Sequence, residues 1–265
     1  MKSIKELYKI GNGPSSSHTM GPKKAALLLK EKYPTADLYQ IILYGSLAFT
    51  GKGHLTDKII LEALKPSNVE IIFNKETKEL KHPNTMDLIA LKNKEELGKF
   101  RAYSIGGGSI QIEGEDFQEE KDIYDFTTYT DIKNNCKEKN ISLLEYVYTQ
   151  EDKDLSEYLK TVWQTMKKTL EEGLEQEGLI PGRLKIPKKA KTLYSKELEK
   201  ETAELKRTRL LTAYAYATSE QNASGGMIVT APTCGASGVL PAVLYYLYKQ
   251  ENVNEAKILE GWAIA

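Results

Sequence analysis

Residues 38–44 read Leu-Tyr-Gln-Ile-Ile-Leu-Tyr, a short apolar run stopped by Gly45. It is too brief for an ordinary helix and rich in β-branched and aromatic side chains, so it has the character of a strand. Similar short runs at 69–73, 87–91 and 100–105 are broken by turn residues, while the spacing predicts helices over 22–32 and 56–65. Beyond residue 125 the pattern changes. Long segments with helical spacing follow at 143–148, 155–172 and 195–219, with almost no strand signal. The expectation is an α+β domain over residues 1–125 and an all-α domain over 126–265, with 180–191 as a loop inside the second.

Composition narrows the function. Lys plus Arg equals Asp plus Glu at 37 each, so no overall positive field gathers nucleic acid or an anionic membrane surface. There is neither an apolar run long enough to cross a bilayer nor a signal-type N-terminus, and the chain reads as cytoplasmic. Two cysteines, Cys136 and Cys234, exclude a disulfide framework and a site of four cysteine ligands.

The densest chemistry lies at 13–22, Gly-Pro-Ser-Ser-Ser-His-Thr-Met-Gly-Pro. Pro22 suits a first helical turn, so the loop is expected to open onto a helix N-terminus, where amides and dipole attract a carboxylate or phosphate. A plain capping loop is the alternative. The run 45–54, Gly-Ser-Leu-Ala-Phe-Thr-Gly-Lys-Gly-His, follows a strand, and its glycines either admit a ligand or make a structural turn. It fails the Walker spacing, because Gly53 follows Lys52. Lys52, beside His54, is a candidate anion contact. So are Gly106, Gly107, Gly108 and Ser109, which otherwise form a bulged strand end. His82 belongs to a turn, His-Pro-Asn-Thr. In the second half a helix is expected to end at Gly225-Gly226. An extended piece then reaches Pro232, and small residues open a new helix, with Cys234 near its N-terminus as a candidate thiolate of lowered pKa.

Three of these stretches together resemble a known family. Residues 13–22, 45–54 and 230–242 (Thr-Ala-Pro-Thr-Cys-Gly-Ala-Ser-Gly-Val-Leu-Pro-Ala), with a looser match at 180–185, are similar to the single-chain iron-sulfur L-serine dehydratases, also called L-serine ammonia-lyases. The resemblance spans nearly the whole chain. It implies a first domain of the allosteric substrate-binding type, an all-helical catalytic domain, L-serine as substrate, and a homodimer. It also implies a 4Fe-4S cluster, held by three cysteines, whose open iron acts as Lewis acid on the substrate hydroxyl. Residue by residue, it places Ser15, Ser16, Ser17 and Thr19 in the substrate pocket, with His18 or His54 as base. Asn222, Thr230 and Thr233 complete that pocket from the second domain.

In that family the cluster cysteines lie beyond the Ala-Pro-Thr segment. The resemblance therefore implies a chain truncated at its C-terminal end, with no metal ligand and no cofactor of its own and without activity alone. In the same sense, Ile258, Leu259, Trp262, Ala263 and Ile264 predict an apolar helix left without its partner. The alternative class of function is a module that binds a small carboxylate such as serine without turnover.

Overall fold

The structure, a computed structural model, describes residues 1–116, 121–196 and 200–264. It is mixed, with a sheet region in the N-terminal part and helices in the C-terminal part. In the first part α1 (Gly21–Lys32) precedes β2 (Leu38–Leu43), and α2 (Gly45–Thr50) and α3 (Thr56–Leu64) lead to β3 (Asn68–Phe73). Then β4 (Thr85–Lys92), β5 (Glu95–Gly106) and β6 (Ser109–Ile112) complete a five-stranded sheet in the order β3-β2-β4-β5-β6. Only the β2–β3 pair is parallel, because α2 and α3 carry the chain across between them. On β2, Tyr39, Ile41 and Leu43 turn inward, and with Leu29 of α1 and Ile60 of α3 they form the core of this region.

The second part comprises α4 (Tyr129–Lys139), α5 (Leu143–Gln150), α6 (Leu155–Glu175), α7 (Ala190–Ser195), α8 (Ala203–Ala223), α9 (Val239–Gln250) and α10 (Glu255–Ile264). The apolar stripe Leu155, Leu159, Val162, Met166 and Leu170 of α6 packs on α8. The helices come close because a Cβ at Gly173 would overlap the Ala217 backbone. The helix expected over 195–219 starts later, at Ala203 after the N-cap Thr202: Ser195 ends α7, residues 196 and 200–202 are not helical, and residues 197–199 lie outside the described residues.

Residues 3–8 pack on the helices. Tyr8 is buried with its ring edge-on to Trp262, 4.9 Å between centroids. Strand β1 (Ile10–Asn12) pairs antiparallel with β7 (Met227–Val229), Ile10 opposite Val229. Thr230 secures the joint: its hydroxyl donates to Leu7 O at 2.6 Å and accepts from Lys9 N at 2.8 Å. This contact corrects the expectation for α10. Ile258, Trp262 and Ala263 are buried inside the chain, while Ile264 is 49% exposed.

Candidate active site around His18

The run 13–22 is helical sooner than expected. Ser15 is extended, residues Ser16–Met20 form a π-helical turn, and α1 continues directly from it. The N-terminus that faces outward is therefore at Ser15 and Ser16, not at Pro22. Thr19 holds the turn: its hydroxyl is 2.6 Å from Ser15 O and 2.5 Å from Asn12 O. The backbone of His18 is tied down as well, since Thr56 Oγ1 donates to His18 O at 2.7 Å.

Within the run 45–54, Gly45–Thr50 form the short helix α2 and the rest is a turn. The helix starts at Gly45, whose φ of +50° and proximity to Pro83 O leave no room for a side chain. Ser46 and Thr50 sit four residues apart on one face of α2, and the turn that follows, with His54 N donating to Thr50 O at 3.1 Å, brings His54 alongside. That face meets the imidazole of His18. Nε2 lies 3.1 Å from Ser46 Oγ and 3.0 Å from Thr50 Oγ1, and Nδ1 lies 3.0 Å from Ser17 Oγ and 3.4 Å from Ser15 Oγ. The ring of His54 lies against that of His18, and its Nδ1 donates to Thr50 O at 3.0 Å.

The protonation pattern follows from these partners. Thr50 Oγ1 donates its proton to Ser46 O at 2.8 Å, so towards His18 it accepts, and Nε2 carries the hydrogen. This assignment leaves the lone pair of Nδ1 facing Ser17 and Ser15. His18 is 8% exposed. Burial lowers its pKa, and the neighbouring His54 lowers it further, so the neutral ring predominates around neutral pH.

Asn222, near the end of α8, stands against the same turn. Gly13 N donates to Gly226 O at 3.0 Å, which draws the two segments together. A Cβ at Gly13 would overlap Asn222 Oδ1 and the Asn222 backbone, so only glycine fits there. Asn222 Oδ1 is buried and accepts no hydrogen bond among the described residues. A buried acceptor in that condition costs on the order of 1–3 kcal/mol until it is satisfied.

The structure thus brings Ser15, Ser17, His18 and His54 into one cluster, with Asn222 beside the turn. It does not bring the other expected residues into that cluster. The hydroxyls of Thr19 and Thr230 bond backbone groups, and Thr233 Oγ1 accepts from Ala236 N at 3.1 Å. Ser16 turns its backbone amide to the Cys234 sulfur. Lys52 lies over the ring of Phe73, 5.2 Å from its centroid. Gly106, Gly107 and Gly108 have positive φ and form the β5–β6 turn, and Ser109 Oγ accepts from Lys9 Nζ at 3.3 Å. His82 Nδ1 accepts from Asn84 N, as turn chemistry requires. Ser46 and Thr50 were not singled out from sequence, although their spacing from His54 was visible there.

Cys234 is corrected. It is 3% exposed, packed with Met20 and Ile228, and burial pushes its thiol up to about 11, the opposite of an activated nucleophile. Cys136 lies in a different cluster, near Tyr124 and Tyr146. Among the described residues no group of three His, Cys, Asp or Glu side chains is arranged to hold a metal, and no helix is long and apolar enough to cross a membrane.

A sheet region that presents a buried histidine among hydroxyls, joined to a helical part that contributes an asparagine, also matches known proteins as a whole. The family model described as "Serine dehydratase beta chain" matches residues 3–72, and "Serine dehydratase alpha chain" matches 69–265. The chain is 32% identical to an L-serine dehydratase of Haemophilus influenzae over an alignment of 321 positions, gaps included, covering 100% of this chain and 70% of that protein. L-serine dehydratase 1 of Escherichia coli is 32% identical over 96% of this chain and 68% of its own length, and an L-serine dehydratase of Helicobacter pylori is 32% identical over 97% and 68%. The chain belongs to the serine dehydratase family of lyases.

Proposed function

We propose that this chain supplies the substrate-binding and proton-handling part of an L-serine ammonia-lyase, which converts L-serine to pyruvate and ammonia. The observation that carries this reading is His18, a buried neutral imidazole whose Nδ1 lone pair faces the hydroxyls of Ser15 and Ser17. The relatives named L-serine dehydratase support serine as the substrate.

The chemistry begins with an α-proton next to a carboxylate, which leaves only when that carboxylate is held among fixed donors. The hydroxyls of Ser15 and Ser17, turned from Nδ1 of His18 to the substrate, are such donors, and Asn222 Oδ1 is an acceptor for the substrate ammonium. Nδ1 of His18 takes the α-proton, while Nε2–H stays bonded to Thr50 Oγ1 and fixes the tautomer. His54, in ring contact with His18, is the alternative base. The β-hydroxyl leaves as water with the proton that His18 has taken, the aminoacrylate tautomerises to the imine, and a water adds to the imine carbon and displaces ammonia, leaving pyruvate.

In the reading by resemblance, a 4Fe-4S cluster assists departure of the hydroxyl. The residues of this chain do not fit that group, since Cys136 and Cys234 lie in separate apolar clusters. The reading therefore assigns the cluster ligands to residues outside these 265, and no turnover to the chain by itself. It divides the molecule into residues 1–125, of the allosteric substrate-binding type, and 126–265, catalytic and helical, in a cytoplasmic homodimer. The separation of the two thiols also favours a second reading, a module that binds serine without turnover.

Calorimetric titration of the chain with L-serine tests the site. Saturable binding that is lost in Asn222→Ala supports it, and binding unchanged in that variant overturns it. His18→Gln in the complete enzyme separates the two readings. The lyase reading expects turnover to fall by about two to four orders of magnitude with the cluster retained, whereas unchanged turnover removes His18 as base.

A further inference from the structure

A groove of about 800 Å³ runs along β1, and neither His18, Ser15, Ser17, Ser46 nor Thr50 lines it. Its walls come from both halves of the molecule: α1 and the Gly107–Gly108 turn on one side, Tyr158 of α6 and Met227 of β7 on the other. Much of the lining is apolar. Leu27 and Met227 are each 45% exposed there, and Ile10 is 38% exposed, an arrangement that water alone does not favour.

Cations gather along this apolar floor. Lys9 Nζ pairs with Glu6 at 2.5 Å and donates to Ser109 Oγ, which fastens the glycine turn to the N-terminal segment. Lys5 is committed to Asp154. Lys23 and Lys24 differ, since among the described residues neither forms an ion pair with a carboxylate, and Lys23 Nζ instead donates to the neutral Asn12 Oδ1 at 2.7 Å. Both stand near the start of α1, just after the π-helical turn that begins at Ser16, and both line the groove. The one carboxylate in the lining not yet placed, Glu31, lies two turns further along α1.

We propose that this groove binds an organic carboxylate with an apolar body, the carboxylate taken by Lys23 and Lys24 and the hydrocarbon laid against Leu27, Ile110 and Met227. A concave, mainly apolar surface with a few convergent charges is the usual form of a small-molecule site. A bare inorganic anion would leave the apolar wall wet, and an uncharged hydrocarbon would leave two lysines unanswered. The ligand reaches the His18 turn through one residue, because Asn12, which accepts from Lys23 through its side chain, accepts from Thr19 through its carbonyl. Only this last connection rests on the function proposed above; the binding itself does not.

Titration calorimetry of the chain with hexanoate, and with hexanol and acetate as the uncharged and tailless comparators, tests the proposal. Hexanoate is expected to saturate one site and to bind at least about tenfold more tightly than either comparator, as loss of a charged hydrogen bond or of the apolar contact requires. The double variant Lys23→Met, Lys24→Met and the single variant Leu27→Asp, each with an unchanged melting temperature, are each expected to weaken hexanoate by about tenfold or more. Hexanoate binding no tighter than hexanol or acetate, or undiminished in both variants, overturns the proposal. Binding of L-serine, measured in the same variants, reports separately on the His18 site.

Discussion

The imidazole rings of His18 and His54 lie face to face, 4.5 Å between centroids and tilted by 31°. Two such rings do not readily carry charge together. His54→Gln therefore removes one of the two influences that depress the pKa of His18, burial being the larger and remaining. The His18 pKa is expected to rise towards its ordinary value in that variant without reaching it. Proton-nitrogen NMR of the imidazoles across a pH series measures this, and an unchanged or lower His18 pKa would contradict the pairing.

The same depression sets a pH dependence of stability. As pH falls through 6.5, the ordinary value, the unfolded chain takes up a proton at His18 while the folded chain does not until the pH is lower. Stability contributed by neutral His18 is thus full above 6.5 and declines between 6.5 and the folded-state pKa. Against His18→Gln, the wild type should lose unfolding free energy faster on acidification from about pH 7 to about pH 5. Parallel curves in denaturant titrations would refute this.

Gly13 is fixed by Asn222. Gly13→Ala should destabilise the protein by about 2–4 kcal/mol, because the new methyl group overlaps both Asn222 Oδ1 and the Asn222 backbone. Adding Asn222→Ala removes only the side-chain part of that overlap, so the double variant should recover stability incompletely. Full recovery in thermal unfolding would mean that the backbone contact is unimportant.

The two cysteines should react very differently. Cys234 is buried with its thiol pushed up to about 11, whereas Cys136 is partly exposed. Iodoacetamide at about pH 8 is expected to label Cys136 in the native protein and Cys234 only after unfolding. Mass spectrometry of the native adduct decides it; early labelling of Cys234 would mean that its cluster opens.

Tyr8 joins the N-terminal segment to the helical core through Trp262. Tyr8→Ala should cost about 3–5 kcal/mol, as for other large aromatic residues removed from a core. Because β1 is carried by the same segment, pairing of Ile10 with Val229 should loosen as well. Hydrogen exchange of the Thr230 amide, which donates to Lys9 O, reports that loosening. Exchange as slow as in the wild type would show that β1 holds without Tyr8.

Much of the secondary structure was legible because each segment buries one face, and burial imposes a period on the sequence. The runs at 38–44 and 69–73 became β2 and β3, and the stripe at 155–172 became α6. The helical nature of Gly45–Thr50 was hidden, since its glycines and hydroxyls resemble a loop and a six-residue helix is too short to show a period. Raised or lowered pKa values were equally out of reach. A cysteine before a helix was expected to be acidic, but α9 begins only at Val239, and burial beside Met20 and Ile228 outweighs the Ser16 amide that favours the thiolate.

By itself the sequence determined the local chemistry: a histidine among serines, glycines where the backbone must turn or approach closely, and a neutral charge balance. Only the tertiary structure decided which of those residues meet. Asn222 stands against Gly13 from 209 positions away along the chain because β1 pairs with β7, and Ser46 and Thr50 reach His18 because α2 is held beneath the π-helical turn. Such meetings depend on long-range packing, which burial of apolar surface drives without regard to distance along the chain, so no local pattern records them.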